Sequence, residues 1–444
     1  MSSRGGRPDD TIVAAATPLA RSALAVVRID GPGSMGILES LTRRKAFVAR
    51  FAVHTELWSS DGRILDDVVV TPFLAPSSFT GNDLVELTLH GSPAIVQRAI
   101  REVVALGARP AEPGEFSERA VLNGKLDLIQ AEAVAELINS RTALQAQLFL
   151  GNLQGDLSRR ASSIREAMLG AIARLEASLD FSEEGFSFID RIELERVIAG
   201  AAAEVEAMSR TYRRGSATSS GLSAVILGRP NSGKSTLLNR LVGSDRAIVT
   251  PVAGTTRDII RETVEIGGLP VTVADTAGLR ESEDLVEGIG IERARAAARD
   301  ADLVLYLIDA PTGVTEEDRR ELARFPDARV IFTKTDLAPA PPGEFGISVA
   351  KEAGVEDLLQ RLDEQVRDQY VASPGSVVNE RQRLAVEACL QALTDASRSI
   401  AAGHEEQIVL VDLYRAARAL AGLTGAILND EIMAEIFSKF CIGK

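Results

Sequence analysis

Eight residues, Gly228-Arg229-Pro230-Asn231-Ser232-Gly233-Lys234-Ser235, constrain this chain more than any other segment. They fit the pattern G-x-x-x-x-G-K-S, follow the apolar run 222–227 and precede a helix-like stretch, which is the strand, loop, helix context of a phosphate-binding P-loop. Backbone N–H groups of a glycine-rich turn at a helix N-terminus converge on a β-phosphate. Lys234 can reach the β/γ oxygens and the Ser235 hydroxyl can ligate Mg²⁺. With Asn231, Ser232, Gly233 and Thr236 around them, these residues make the chain a nucleoside triphosphatase in which Lys234 is a candidate catalytic group.

Three later segments, in the order that GTPases use, identify the base. The stretch Thr250-Pro251-Val252-Ala253-Gly254-Thr255-Thr256 offers a switch threonine, Thr256, whose hydroxyl could complete a magnesium shell. Asp275-Thr276-Ala277-Gly278 ends the β-like run 271–274 and would place a carboxylate near the metal and a glycine N–H near the γ-phosphate. Thr333-Lys334-Thr335-Asp336 ends another such run, 329–332, where Asp336 can accept two hydrogen bonds from a guanine edge. Such GTPases usually carry Asn where this chain has Thr333, so guanine selectivity is expected to lean on Asp336, with a weaker preference over other bases. Ser348-Val349-Ala350 resembles the last base-contacting loop. Signalling GTPases place a water-orienting glutamine where this chain has Leu279. Arg280 and the acidic run Glu281, Glu283, Asp284 and Glu287 follow. No arginine finger is evident, which leaves the charge-neutralising role to a cation; Asn231 and the loop 247–256 carry oxygen ligands suited to a large monovalent ion.

The 444 residues suffice for two to four domains. A net charge of −14 argues against a protein that grips bare nucleic acid by itself. Two cysteines cannot form a disulfide framework, and no apolar stretch reaches membrane-spanning length, so the expected location is cytoplasmic with no membrane contact. The fold class reads as multidomain α/β. Residues 1–120 alternate short β-like runs with turns and read as an α+β domain. Residues 121–215 form a helical part in which Leu126, Ile129, Ala133 and Leu137 recur on one face. A turn-rich linker at 215–221 leads into an inserted P-loop GTPase domain, 216–372, with a mixed and mostly parallel sheet. Residues 373–444 complete the helical bundle.

The whole chain resembles the tRNA-modifying GTPase family MnmE, also called TrmE. The most specific segments are Asp10-Thr11-Ile12-Val13-Ala14, Ser78-Phe79-Thr80-Gly81, Pro113-Gly114-Glu115-Phe116-Ser117-Glu118-Arg119-Ala120, Lys125-Leu126-Asp127-Leu128 with Gln130-Ala131-Glu132-Ala133, and the terminal Phe440-Cys441-Ile442-Gly443-Lys444. The resemblance implies that Asn231, Thr250, Val252 and Thr255 hold K⁺, that Ser235 and Thr256 hold Mg²⁺, and that Glu287 positions the hydrolytic water. It implies a formyl- or methylene-tetrahydrofolate site in an N-terminal folate-binding and dimerisation domain, at Arg28, Glu86, Lys125 and Lys444. Cys441 becomes a candidate catalytic thiol, flanked by Lys439 and Lys444, whereas Cys389 reads as core. The implied assembly is a homodimer, and a heterotetramer with the partner MnmG (GidA), which carries FAD and NADH and would supply most of the tRNA grip. The implied reaction adds a carboxymethylaminomethyl or aminomethyl group at C5 of the wobble uridine of certain tRNAs. A ribosome-assembly GTPase switch is the alternative, although such proteins usually append a basic RNA-binding fold, and a folate-binding scaffold with a vestigial GTPase is a third reading.

Overall fold

The structure is a computed structural model that describes residues 10–181, 188–243, 246–248, 261–274, 294–427 and 430–443. The chain divides into two compact units. One comprises Met1–Ile138, Asn152–Ala201 and Gln391–Lys444; the other comprises Asn139–Gly151 and Ala202–Leu390.

The first unit contains a six-stranded sheet in the order β3-β4-β5-β2-β1-β6. Its strands are β1 (Ile12–Ala15), β2 (Leu24–Asp30), β3 (Val53–Trp58), β4 (Ile64–Phe73), β5 (Leu84–His90) and β6 (Arg109–Pro110). Strand alternation decides which side chains enter the core: Ala25, Val27 and Ile29 of β2 are buried with Leu87 and Leu89 of β5. Against them lies the helix Pro93–Ala105, started by a proline in its first turn and packed through Val96, Ala99 and Val103. The other face carries Ile12, Ala14, Leu84 and Phe116.

Helices complete this unit. Leu128–Asn139 begins with a reciprocal pair: Gln130 N–H donates to Asp127 Oδ1 at 2.8 Å, and Asp127 N–H donates to Gln130 Oε1 at 3.0 Å. That pairing satisfies two amides the helix start leaves open. The helices Asp156–Asp180 and Glu406–Thr424 lie side by side, with Tyr414 donating to Glu176 at 2.6 Å.

Three of the most specific sequence segments meet in one ion network of this unit. Arg119 reaches Asp30 at 3.0 Å, Asp10 at 2.5 Å and Glu115 at 3.1 Å, while Arg109 pairs with Asp10 and Glu115. The fully buried Asp30 also accepts from Thr80, and from Asn82 at 3.1 Å. A buried carboxylate is tolerated only when its oxygens are taken up in this way.

The second unit holds a five-stranded sheet in the order β11-β10-β7-β9-β8. Its strands are β7 (Leu222–Gly228), β8 (Arg261–Ile266), β9 (Leu269–Ala274), β10 (Leu303–Asp309) and β11 (Arg329–Thr333). All pairings are parallel except β8 with β9. Helices on both faces bury it, which explains why β7 and β10 read as continuous apolar runs. The multidomain α/β class expected from the sequence is thus observed, with its mostly parallel sheet.

One local expectation fails. Residues 215–221 read as a linker, yet most of them form the helix Tyr212–Ser220. Gly215 is there because the helix runs against the chain: a Cβ at that position would lie 2.0 Å from the Val377 carbonyl oxygen. Thr218, fully buried, donates to Tyr370 O and accepts from Ala372 N–H, both at 3.0 Å. Tertiary contact overrides a turn-like composition.

Removing Arg119 leaves the Asp30 carboxylate without its cation, so Arg119→Met should cost about 3–5 kcal/mol of unfolding free energy. Burial pushes the Asp10 and Glu115 carboxyls upward, but their arginine partners hold both below their ordinary 3.8 and 4.5. Carboxyls with lowered native pKa contribute stability above their unfolded values and lose it as pH falls through the native ones. Thermal melts of the wild type should therefore weaken as pH drops below about 4.5, with a shallower acid dependence in Arg119→Met; equal slopes would show that the network does not carry it.

Candidate nucleotide site

Parallel pairing brings the carboxyl ends of β7, β10 and β11 side by side, with Leu307 opposite Gly228 and Asp309 opposite Thr333. Ligands of open α/β sheets bind at such an edge. At the end of β7 the backbone turns through Gly228 at φ 137°, where a Cβ would meet the Leu307 carbonyl oxygen at 2.4 Å. Glycine is required there on both counts. The loop continues through Asn231, at φ 61°, to Gly233, at φ 89°, which begins the helix Lys234–Val242. Leu237, Leu238 and Leu241 bury that helix against the sheet. Its start has no side-chain cap, and the N-terminus of a helix is suited to an anion.

The loop is tied down from three directions. Lys234 Nζ donates to the carbonyls of Gly228 at 2.8 Å and Arg229 at 2.7 Å. Thr333, at the end of β11 and 2% exposed, donates its hydroxyl to the Ser232 carbonyl at 2.8 Å. The Arg229 guanidinium bonds Asp318 and the Gly313 carbonyl. Asp318 is fully buried, accepts from Tyr306 at 3.0 Å and caps the helix Glu316–Arg324 through Thr315. Burial pushes its carboxyl up, and the bonds from Thr315, Tyr306 and Arg229 bring it below 3.8. Ser235 and Thr236 are exposed, while Ser232 Oγ is buried with no partner among the described residues. Uncapped amides, an exposed hydroxyl and a glycine cradle fit a polyphosphate with its magnesium.

Beyond Thr333 the chain turns through Lys334 at φ 58°, whose ammonium lies 3.1 Å from Asp309. Asp336 accepts from Ser348 Oγ at 2.6 Å, and that bond holds its carboxyl below the ordinary range. The Ser348 loop is fixed in turn: Ile347 N–H donates to Phe332 O at 2.7 Å, and Ser348 and Ala353 exchange backbone bonds. Val349 is half-buried and Ala350 exposed, next to Ser348. The P-loop, Thr333–Asp336 and Ser348–Ala350 are therefore brought together at one sheet edge. Thr250, Pro251, Val252, Ala253, Gly254, Thr255, Thr256, Asp275, Thr276, Ala277, Gly278, Glu287 and Lys444 lie outside the described residues.

In the first unit Arg28 and Glu86 are cross-strand partners and form an ion pair at 2.8 Å, with the guanidinium 5.7 Å from the Phe79 ring centre. Lys125 donates to Pro76 O at 3.0 Å, in the loop that also carries Phe79. The terminal tail reaches the neighbouring strand β1: a Cβ on Gly443 would lie 2.1 Å from the Ala15 carbonyl, and Ala14 pairs with Arg28. Cys441 is exposed, and its carbonyl accepts from Gly114 N–H at 3.4 Å. Lys439 is turned to Glu435 at 3.2 Å. Cys389 is buried, and burial pushes its thiol up to about 12, as suits a core residue.

Sequence reasoning missed Asp309, Asp318 and Tyr306. Thr315-x-x-Asp318 carried a helix-start signal, but its link to Arg229 spans 89 residues and has no local signature.

A family model described as "MnmE helical domain" matches residues 128–441, and one described as "GTP-binding protein TrmE N-terminus" matches residues 11–125. The protein named tRNA modification GTPase MnmE in Aquifex aeolicus is 38% identical over 446 residues, covering 98% of this chain and 100% of the relative. That of Azoarcus sp. is 40% identical, with all of both chains covered. That of Thermus thermophilus is 40% identical, covering 98% of this chain and 99% of the relative. The chain belongs to the MnmE family.

Proposed function

We propose that this GTPase couples GTP hydrolysis to carboxymethylaminomethyl- or aminomethyl-type modification at C5 of the wobble uridine of certain tRNAs. What supports the reading is similarity over the whole length, N-terminal and helical parts included, to relatives that bear that name. A ribosome-assembly switch would account for the GTPase part and leave the rest without a role.

In this reading the γ-phosphoryl group passes to water while the chain's residues hold GTP still. Lys234 faces the β/γ oxygens from its present anchorage on the loop carbonyls. The amides of 231–236 surround the phosphates, and Thr250–Thr256 and Asp275–Gly278 are assigned to the same nucleotide. Asp336, ionised and oriented by Ser348, accepts from N1–H and the 2-amino group of guanine. Glu287 orients the attacking water. Bound Mg²⁺ and K⁺ would neutralise charge that develops between the β- and γ-phosphates, with Ser235 and Thr256 as magnesium ligands and Asn231, Thr250, Val252 and Thr255 as potassium ligands.

The modifying half is assigned to the first unit. Arg28, Glu86, Lys125 and Lys444 would bind formyl- or methylene-tetrahydrofolate, since a pterin ring asks for a carboxylate and its glutamate tail for cations. Cys441 would act on the one-carbon unit or the uridine intermediate. The acidic balance suits a homodimer that leaves redox chemistry and most tRNA contact to MnmG (GidA), with FAD and NADH, in a cytoplasmic heterotetramer. Among the described residues no helix is long and apolar enough to cross a membrane.

Hydrolysis should be faster in K⁺ than in Na⁺ by on the order of tenfold or more, and equal turnover in the two would sink the potassium assignment. Asp336→Asn should weaken GTP binding by about 10–100-fold and improve binding of xanthosine triphosphate, whose C2 carbonyl can accept from the new amide. Calorimetry with both nucleotides checks this, and an unchanged ratio would remove Asp336 from the base site. Cys441→Ser should keep GTP hydrolysis and abolish wobble-uridine modification in the presence of the flavin partner. Mass spectrometry of a fully modified tRNA pool would instead make the thiol structural.

A further inference from the structure

We propose that Thr333 is a positioning residue of the phosphate cradle and does not read the base. The inference rests on the GTPase reading and deepens it. A threonine hydroxyl has one proton. Here that proton faces the Ser232 carbonyl at 2.8 Å, with the Ile308 carbonyl next nearest at 3.3 Å, and Thr333 is 2% exposed. A residue at this position that recognised guanine would have to donate to O6 or N7, both acceptors. With its single donor engaged, Thr333 offers that edge only lone pairs.

The bond to Ser232 has a directional consequence. In a trans peptide the carbonyl and the following N–H point in opposite senses. Anchoring Ser232 C=O on Thr333 therefore aims Gly233 N–H away from β11, toward the mouth of the loop that precedes Lys234. Gly233 has no side chain to press on Thr333, and a Cβ added there would make only ordinary contact, 3.8 Å from the Cβ, Cγ2 and Oγ1 of Thr333. The hydroxyl of Thr333 thus holds the Ser232–Gly233 peptide. Asn would bring two amide donors and could serve loop and base together; Thr serves the loop alone.

The test measures binding of GTP, GDP and 7-deaza-GTP, which lacks the N7 acceptor, to the full chain as wild type, Thr333→Val and Thr333→Ser, with steady-state hydrolysis alongside. Thr333→Val keeps the shape and leaves the Ser232 carbonyl without its donor. We expect affinity for GTP and GDP to fall by about tenfold, the same factor for 7-deaza-GTP, and wild-type behaviour in Thr333→Ser. The loss should appear as raised KM with kcat held within about twofold, as for binding shared by ground and transition states. Unchanged affinity in Thr333→Val would overturn the proposal, as would a loss for GTP that 7-deaza-GTP does not share. If thermal melting finds Thr333→Val unfolded, Thr333→Ala carries the same comparison. Failure of the wild type to bind GTP would be a different result, overturning the GTPase reading and this proposal together.

Discussion

A loop that binds phosphate through its amides must first dispose of its carbonyls, which would otherwise face the anion and repel it. Three carbonyls of the loop are taken. Lys234 occupies those of Gly228 and Arg229, and Thr333 occupies that of Ser232. In the trans peptides that follow Gly228 and Ser232 the N–H groups of Arg229 and Gly233 point the other way, whereas the Arg229 carbonyl precedes Pro230 and has no N–H opposite it; no side chain caps the helix start. Preorganisation of this kind places the dipoles before substrate arrives, so that little reorganisation is needed when charge develops. The sheet makes it possible: β11 reaches the loop only because its register with β10 and β7 aligns their carboxyl ends.

The first unit solves a related problem with charge. Asp10, Asp30, Glu115, Arg109 and Arg119 come from three separated segments, and their pairing fixes the approach to β1, the end of β2 and the helix Glu115–Leu122 relative to one another. Such a network is weak evidence for net stability but strong evidence for a specified arrangement, since any member left unpaired is costly. The segments it fixes include β2, which carries Arg28, and the helix Glu115–Leu122, from which the chain runs on to Lys125.

The P-loop turn, the placing of Thr333–Asp336 at the end of a strand with Ser348 beside it, and the multidomain α/β class were legible in the sequence because their signals are local: a glycine pattern after an apolar run, then motifs in fixed order. The Arg109–Arg119 network was visible only as unexplained motif residues such as Asp10 and Thr80. Pairing of groups about a hundred residues apart leaves no periodicity to read. The helix at 212–220 escaped for the opposite reason: its glycine and serines signal a turn, and the contacts that override them come from Tyr370, Ala372 and Val377. Thr333 was legible as a departure from the usual asparagine, but the direction of its hydroxyl required the fold.

The two thiols illustrate how position decides chemistry. Cys389 lies inside the helix Glu380–Ala401, where burial disfavours the thiolate and so removes its nucleophilicity. Cys441 is exposed, but the tail that carries it is not loose. Phe437 and Phe440 are buried against Val121 and Leu128, Gly114 bonds the Cys441 carbonyl, and Gly443 approaches Ala15 too closely to admit a Cβ. Anchors on both sides of an exposed sulfur hold the segment that carries it in place. A reactive thiol needs that combination, access with restraint, and neither composition nor spacing distinguishes it from an ordinary frayed terminus.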